Sequence, residues 1–137
     1  MRRAVLWDSS AILAFLDADD ADHKQAAMIA RQIAAARRPS FLTNYIEAET
    51  HALLLRKLGR AVALQWLLQG GLPVIRALPR EEQKAKDILL RHADKDWSLC
   101  DAISFAVLEL REVRTAFSFD RHFGQYGRFQ VLGLQEQ

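Results

Sequence analysis

Arg3-Ala4-Val5-Leu6-Trp7-Asp8-Ser9-Ser10-Ala11-Ile12 is the stretch on which the fold turns. Arg3 to Trp7 read as a short hydrophobic strand, and the apolar run stops at a carboxylate. Asp8, Ser9 and Ser10 all carry oxygens that accept hydrogen bonds from the free N–H groups of a starting helix. Ala11, Ile12, Phe15 and Leu16 then carry that helix forward. A strand running straight into a helix is the repeating unit of an α/β domain. In open α/β sheets, ligand sites gather beyond the carboxyl ends of the strands, so Asp8 stands where a site belongs.

The same alternation continues outward from this unit. After a polar turn over Asp17 to Asp22, a helix is expected from about His23 to Arg37, with Ala26, Ile29, Ala30 and Ile33 at helical spacing. Pro39 ends it, and Phe41-Leu42-Thr43 is a short buried strand. Asn44 starts a helix through Leu58, with Gly59 placed as its C-terminal cap. Arg60 to Gln69 continues as another helix, which Gly70-Gly71 stops. Val74-Ile75 is a weak strand, and Pro79 fits the first turn of a helix through about Arg91. Ser98 to Glu112 is the clearest amphipathic helix, with Leu99, Ile103, Ala106 and Leu110 along one stripe. Thr115 to Phe119 and Phe129 to Leu132 are the last strands. The rhythm predicts a three-layer α/β/α sandwich with a mainly parallel central sheet, as a single domain over residues 1–137.

Composition agrees with one such domain. A chain of 137 residues, 50% apolar and 26% charged, can bury a real core and is not globally disordered. A net charge of +2 is too small to announce nucleic-acid binding by itself. Arg37, Arg38, Arg56, Lys57, Arg60, Arg121 and Arg128 are nevertheless available to meet phosphates, or are simply scattered solvated charges. Cys100 has no partner for an internal disulfide and reads as a small buried hydrophobe. Asp8 and Asp17 interrupt the early apolar stretch, so no secretory signal is expected, and no run approaches the roughly 18–20 apolar residues of a membrane helix. A soluble, cytoplasmic protein with no membrane partner is the expectation.

Four acids stand at strand ends or early in apolar helices: Asp8, Glu49, Asp101 and Asp120. Asp120 follows Ala116-Phe117-Ser118-Phe119, so Asp8 and Asp120 are expected to face one cleft. Carboxylates are costly to bury uncompensated, and four together repel one another. Hard oxygen donors of this kind suit Mg²⁺ or Mn²⁺, which points to a metal-dependent enzyme that cuts phosphodiester bonds. Each acid also has a bland alternative. Asp8 can be a helix N-cap, although Ser9 or Ser10 could cap without bringing charge. Asp120 can form a turn with Arg121 and His122. Ser98-Leu99-Cys100-Asp101 fits a capping box.

Glu49 has to be told apart from Glu47. Two residues apart on a helix, their side chains point about 200° apart and cannot readily serve one site. With Asn44 as N-cap, Glu47 would complete a capping box, whereas Glu49 shares its side with Tyr45, Ala48, Ala52 and Leu53, a surface expected to face the core. Glu81 and Glu82 read as ordinary first-turn acids, and Asp94 and Asp96 as solvated loop residues. His23, His51, His92 and His122 lack metal-ligand spacing, but His122 follows Asp120 closely enough to touch a substrate phosphate. Trp7, Trp66 and Trp97 read as core or interface residues.

In order, Val5-Leu6-Trp7-Asp8-Ser9-Ser10-Ala11, Thr43-Asn44-Tyr45-Ile46-Glu47-Ala48-Glu49-Thr50, Trp97-Ser98-Leu99-Cys100-Asp101-Ala102-Ile103-Ser104-Phe105 and Ala116-Phe117-Ser118-Phe119-Asp120-Arg121-His122-Phe123 resemble the blocks of PIN-domain ribonucleases, specifically VapC-like toxins of toxin–antitoxin pairs. Trp7, where smaller apolar residues are usual, and Cys100, where threonine is common, are mild departures. The resemblance implies that Asp8, Glu49, Asp101 and Asp120 bind Mg²⁺ or Mn²⁺, that Glu47 lies outside the site, and that Ser9 and Ser118 orient the acids. It implies an endoribonuclease in which water attacks, leaving 5′-phosphate and 3′-hydroxyl ends. Arg56, Lys57, Arg121 and His122 are the candidate RNA contacts by their charge and position. The resemblance further implies a homodimer and a cognate antitoxin that blocks the cleft, often with an arginine among the acids.

Two other classes fit less well. A response-regulator receiver needs an acid after a middle strand and a late lysine, and neither Val74-Ile75-Arg76 nor Phe119 to Phe123 supplies them. The alternative is a non-catalytic PIN-like module that binds RNA or protein; the intact set of acids weighs against it.

Overall fold

β1 (Val5–Trp7) forms the middle of a five-stranded sheet of order β3-β2-β1-β4-β5, and every neighbouring pair is parallel. The other strands are β2 (Ser40–Thr43), β3 (Val74–Ile75), β4 (Thr115–Phe117) and β5 (Gln130–Leu132). Leu6 stands between Phe41 of β2 and Ala116 of β4, which fixes the register at the centre. A computed structural model provides this structure, which describes residues 2–134. Among the described residues, seven helices connect the strands: α1 (Ser9–Leu16), α2 (His23–Ala35), α3 (Asn44–Leu58), α4 (Arg60–Gln69), α5 (Pro79–Arg91), α6 (Leu99–Leu110) and α7 (Arg121–Tyr126). The α/β sandwich with a parallel sheet is as the alternation predicts.

Burial follows the parallel topology. Strands covered on both faces read as continuous apolar runs rather than alternating ones. Val5, Leu6, Ala116 and Phe117 are accordingly all buried. From β1 the chain builds outward through β2 and β3, then returns across the sheet to β4 and β5. The order therefore reverses between β1 and β4, and their carboxyl ends open the crevice in which such folds hold ligands.

Several local expectations are corrected. Thr43, not Asn44, caps α3: its hydroxyl accepts from the Ile46 N–H, while the Asn44 side chain accepts from the Ala77 N–H. Glu47 then lies one position too late for a capping box. The core face of α3 is Ile46, Thr50 and Leu54; Ala48 and Ala52 are exposed, so Glu49 lies beside that face rather than on it. The proposed stripe on α6 also fails, because Asp101 through Leu108 are all buried while Leu99 and Leu110 are exposed. This helix is enclosed on all sides, which periodicity in one turn-length window does not distinguish from amphipathicity. α7 replaces the open turn after Asp120.

Glu81 is wholly buried rather than a solvated first-turn acid. It accepts the Leu78 N–H and receives both Nε and Nη2 of Arg111 at 2.7 and 2.8 Å. Burial alone would raise its carboxyl, but Arg111 and the Leu78 N–H hold it below its ordinary value. This fork clamps the start of α5 to the end of α6. At the opposite flank, Phe105 meets Trp97, Phe123, Tyr126 and Phe129, stacking flat on Tyr126 with centroids 4.5 Å apart. That aromatic cluster seats α7 against α6, which sets where the residues after β4 lie. No helix among the described residues is long and apolar enough to cross a membrane.

Candidate active site at the ends of the central strands

Asp8 is 3% exposed at the carboxyl end of β1, and its N–H still donates to Phe117 of β4. It is also the N-cap of α1, so capping and site geometry are met by one side chain. Its Oδ2 accepts from the hydroxyls of Ser10 at 2.7 Å and Ser118 at 2.9 Å. Those hydroxyls in turn accept from the N–H groups of Phe119 and Asp120 at 3.0 Å each. Two serines 108 residues apart thus tie the carboxylate, α1 and the loop after β4 into one polar unit.

The Ser9 hydroxyl donates to Glu49 Oε1, bringing α3 to the mouth of α1. Asp101 sits in the first turn of α6, where it and Ser98 form a reciprocal capping box. Capping uses Asp101 Oδ2 at 3.2 Å, and His122 Nδ1 lies 2.9 Å from the same oxygen. Asp120 caps α7 through the His122 N–H, with its Oδ1 3.5 Å from His122 Nδ1. Asp101, Asp120 and His122 each present a donor atom within 4.8 Å of the others. Asp8 and Glu49 lie outside that tight trio.

Electrostatics joins the two groups. The Asp8 carboxyl is pushed up to about 7, first by burial and further by the charges of Glu49 and Asp101, with the serine hydroxyls pulling the other way. Among the described residues, no lysine or arginine forms an ion pair with Asp8, Glu49, Asp101 or Asp120. Burial, then the charges of Glu49, Asp8 and Asp101, push the half-buried Cys100 thiol far up, which disfavours its thiolate. The donors present are carboxylate oxygens with a negative surplus, joined by the His122 imidazole, which suits a divalent cation.

Sequence reasoning named Ser9 and Ser118 but missed Ser10, whose hydroxyl takes more of the load on Asp8. The signal was available: a serine two residues after an N-cap carboxylate can fold back onto it. Arg56, Lys57 and Arg121 are exposed, the first two in the last turn of α3. Glu47 is half-buried in a groove with Trp66 and Leu72.

Comparison with known proteins places the fold in a family. Residues 5–128 match the PIN domain model. The 23S rRNA-specific endonuclease VapC20 of Mycobacterium tuberculosis is 30% identical over 131 residues, covering 93% of this chain and 97% of the relative. The crystal structure of the same organism's VapC20, a sarcin–ricin loop cleaving toxin, superposes with a TM-score of 0.77 at 28% identity over 93% of this chain and 98% of that one. FitAcB from Neisseria gonorrhoeae shares the fold, with a TM-score of 0.67 at 16% identity over 93% and 96% of the two chains. The chain belongs to the PIN domain family.

Proposed function

We propose that this chain is the toxin of a toxin–antitoxin pair, an endoribonuclease that works with Mg²⁺ or Mn²⁺ held by Asp8, Glu49, Asp101 and Asp120. The observation that carries this is the gathering of acids at the switch point with no lysine or arginine paired to them: Asp8 is buried there, Ser9 brings in Glu49, and Asp101 and Asp120 present donor atoms within 4.8 Å of each other. A divalent ion, when bound there, supplies Lewis acidity that lowers the pKa of water and offsets charge on a phosphate. The protein supplies orientation. Ser9 holds Glu49, Ser10 and Ser118 hold Asp8, and the Ser98 N–H holds Asp101. Arg56, Lys57 and Arg121 supply positive charge for the RNA backbone. Attack by water on phosphorus, with the P–O3′ bond breaking and the ribose 3′-oxygen leaving to be protonated, gives 5′-phosphate and 3′-hydroxyl ends.

The substrate to test first is ribosomal RNA, because the 30% identical relative is named for cleaving it. Leu55, Val62, Leu67 and Leu68 are exposed on α3 and α4, an apolar surface that suits a second copy of the chain or an antitoxin. The decisive experiment incubates purified protein with ribosomes and total RNA, with Mn²⁺, Mg²⁺ or chelator, and maps the ends produced. Cleavage that needs the metal and falls on the order of 100-fold or more in a folded Asp101→Asn variant is the expected result. A folded variant that cuts at the wild-type rate would overturn the reading.

A further inference from the structure

We infer that His122 is a nitrogen donor of the cation site and that the site consequently favours Mn²⁺ over Mg²⁺; the inference rests on the metal-dependent reading above. The residues are held for this by backbone bonds rather than by side-chain accident. Asp120 N–H is tied to Ser118, His122 N–H to Asp120 Oδ1, and the next residue, Phe123, is completely buried against Phe105. The imidazole therefore has little freedom, and its Nδ1 is directed at two carboxylates, 2.9 Å from Asp101 and 3.5 Å from Asp120.

Histidines elsewhere in the protein behave differently. His23 and His92 place Nδ1 on the backbone carbonyls of Ala14 and Ile88, both at 2.8 Å, and are structural. One ring N–H can serve one carboxylate, yet His122 Nδ1 faces two. In an octahedral ion with donors roughly 2.1 Å away, adjacent donors are about 3 Å apart and opposite ones about 4.2 Å. His122 Nδ1 stands 2.9 and 3.5 Å from its two carboxylate oxygens, inside that range, and all three donor atoms lie within 4.8 Å of one another.

The nature of the donor sets the preference. Mg²⁺ takes oxygen almost exclusively and gives up water reluctantly, whereas first-row transition ions accept imidazole readily. Replacing one oxygen with nitrogen thus moves the site toward Mn²⁺. It also distinguishes His122 from a residue that merely steadies Asp101 by a hydrogen bond, since steadying affects both ions alike.

The test is pulsed electron paramagnetic resonance on the full-length protein loaded with Mn²⁺, joined to calorimetric titration with each ion alone. The wild type should show nitrogen coupling to bound Mn²⁺; His122→Gln should lose it and His51→Gln should keep it. His122→Gln should also weaken Mn²⁺ binding by about 10- to 100-fold and Mg²⁺ binding several-fold less. Bound Mn²⁺ without nitrogen coupling in the wild type, or equal losses for both ions, overturns the role of His122 and leaves metal dependence standing. No binding of either ion at millimolar concentration overturns both.

Discussion

Replacing Asp8 with Asn should stabilise the metal-free protein, increasingly so as pH rises. The unfolded carboxyl titrates at its ordinary 3.8 and the folded one at about 7. Across that window the folded chain binds the extra proton, so the wild type loses stability with rising pH, and the loss is complete above the folded value. At about 1.4 kcal/mol per unit, the full penalty approaches ~4 kcal/mol, and the share falling between about pH 5 and pH 8 is roughly 2–3 kcal/mol. Asparagine carries no charge, and its amide oxygen can still accept from Ser10 and Ser118. Urea denaturation in chelator, run on both proteins near pH 5 and pH 8, reads the difference directly. The advantage of Asp8→Asn should widen by that amount between the two conditions. Saturating Mn²⁺ should then narrow it, because an ion that binds only the folded wild type at a hundred times its Kd adds about 2.7 kcal/mol. An advantage that stays constant or shrinks with pH refutes the reasoning.

Other outcomes follow from the packing. Arg111→Ala strands the buried Glu81 carboxylate and should cost about 3–5 kcal/mol by denaturation, while Glu81→Gln in the same background should recover part of it. Phe123→Ala opens the aromatic seat of α7 and should cost about 3–5 kcal/mol, with cleavage falling further than stability alone predicts because Asp120 and His122 ride on that helix. Ser98→Ala removes the hydroxyl that accepts the Asp101 N–H and should lower stability by about 1 kcal/mol by denaturation, while the Ser98 N–H still holds the Asp101 carboxylate and the metal concentration needed for activity should change little. Gly133→Ala should destabilise measurably, since φ is +106° and a Cβ would come within 2.5 Å of the Ser118 carbonyl oxygen.

The element order was legible because strand runs, caps and breakers agree locally: α4 and α5 begin and end as Gly59, Gly70 and Pro79 require. Sheet-end acids were legible for the same reason, as a carboxylate after an apolar strand is visible in one dimension. What was hidden depends on contacts distant in sequence. Glu81 looks like any first-turn acid until Arg111, thirty residues on, is folded against it. The cap of α3 was misplaced by one residue because Thr43 and Asn44 are both good caps, and only the distant Ala77 N–H decides which one stays free for the helix. His122 has no ligand spacing along the chain; its partner Asp101 comes from another helix.

The tie between Ser118 and Asp8 spans 110 positions, so the polar cage joins segments that are far apart along the chain. The hydrogen bonds around Asp8 are complete only once β4 has paired with β1, so any species in which those two strands are apart lacks the assembled polar cage.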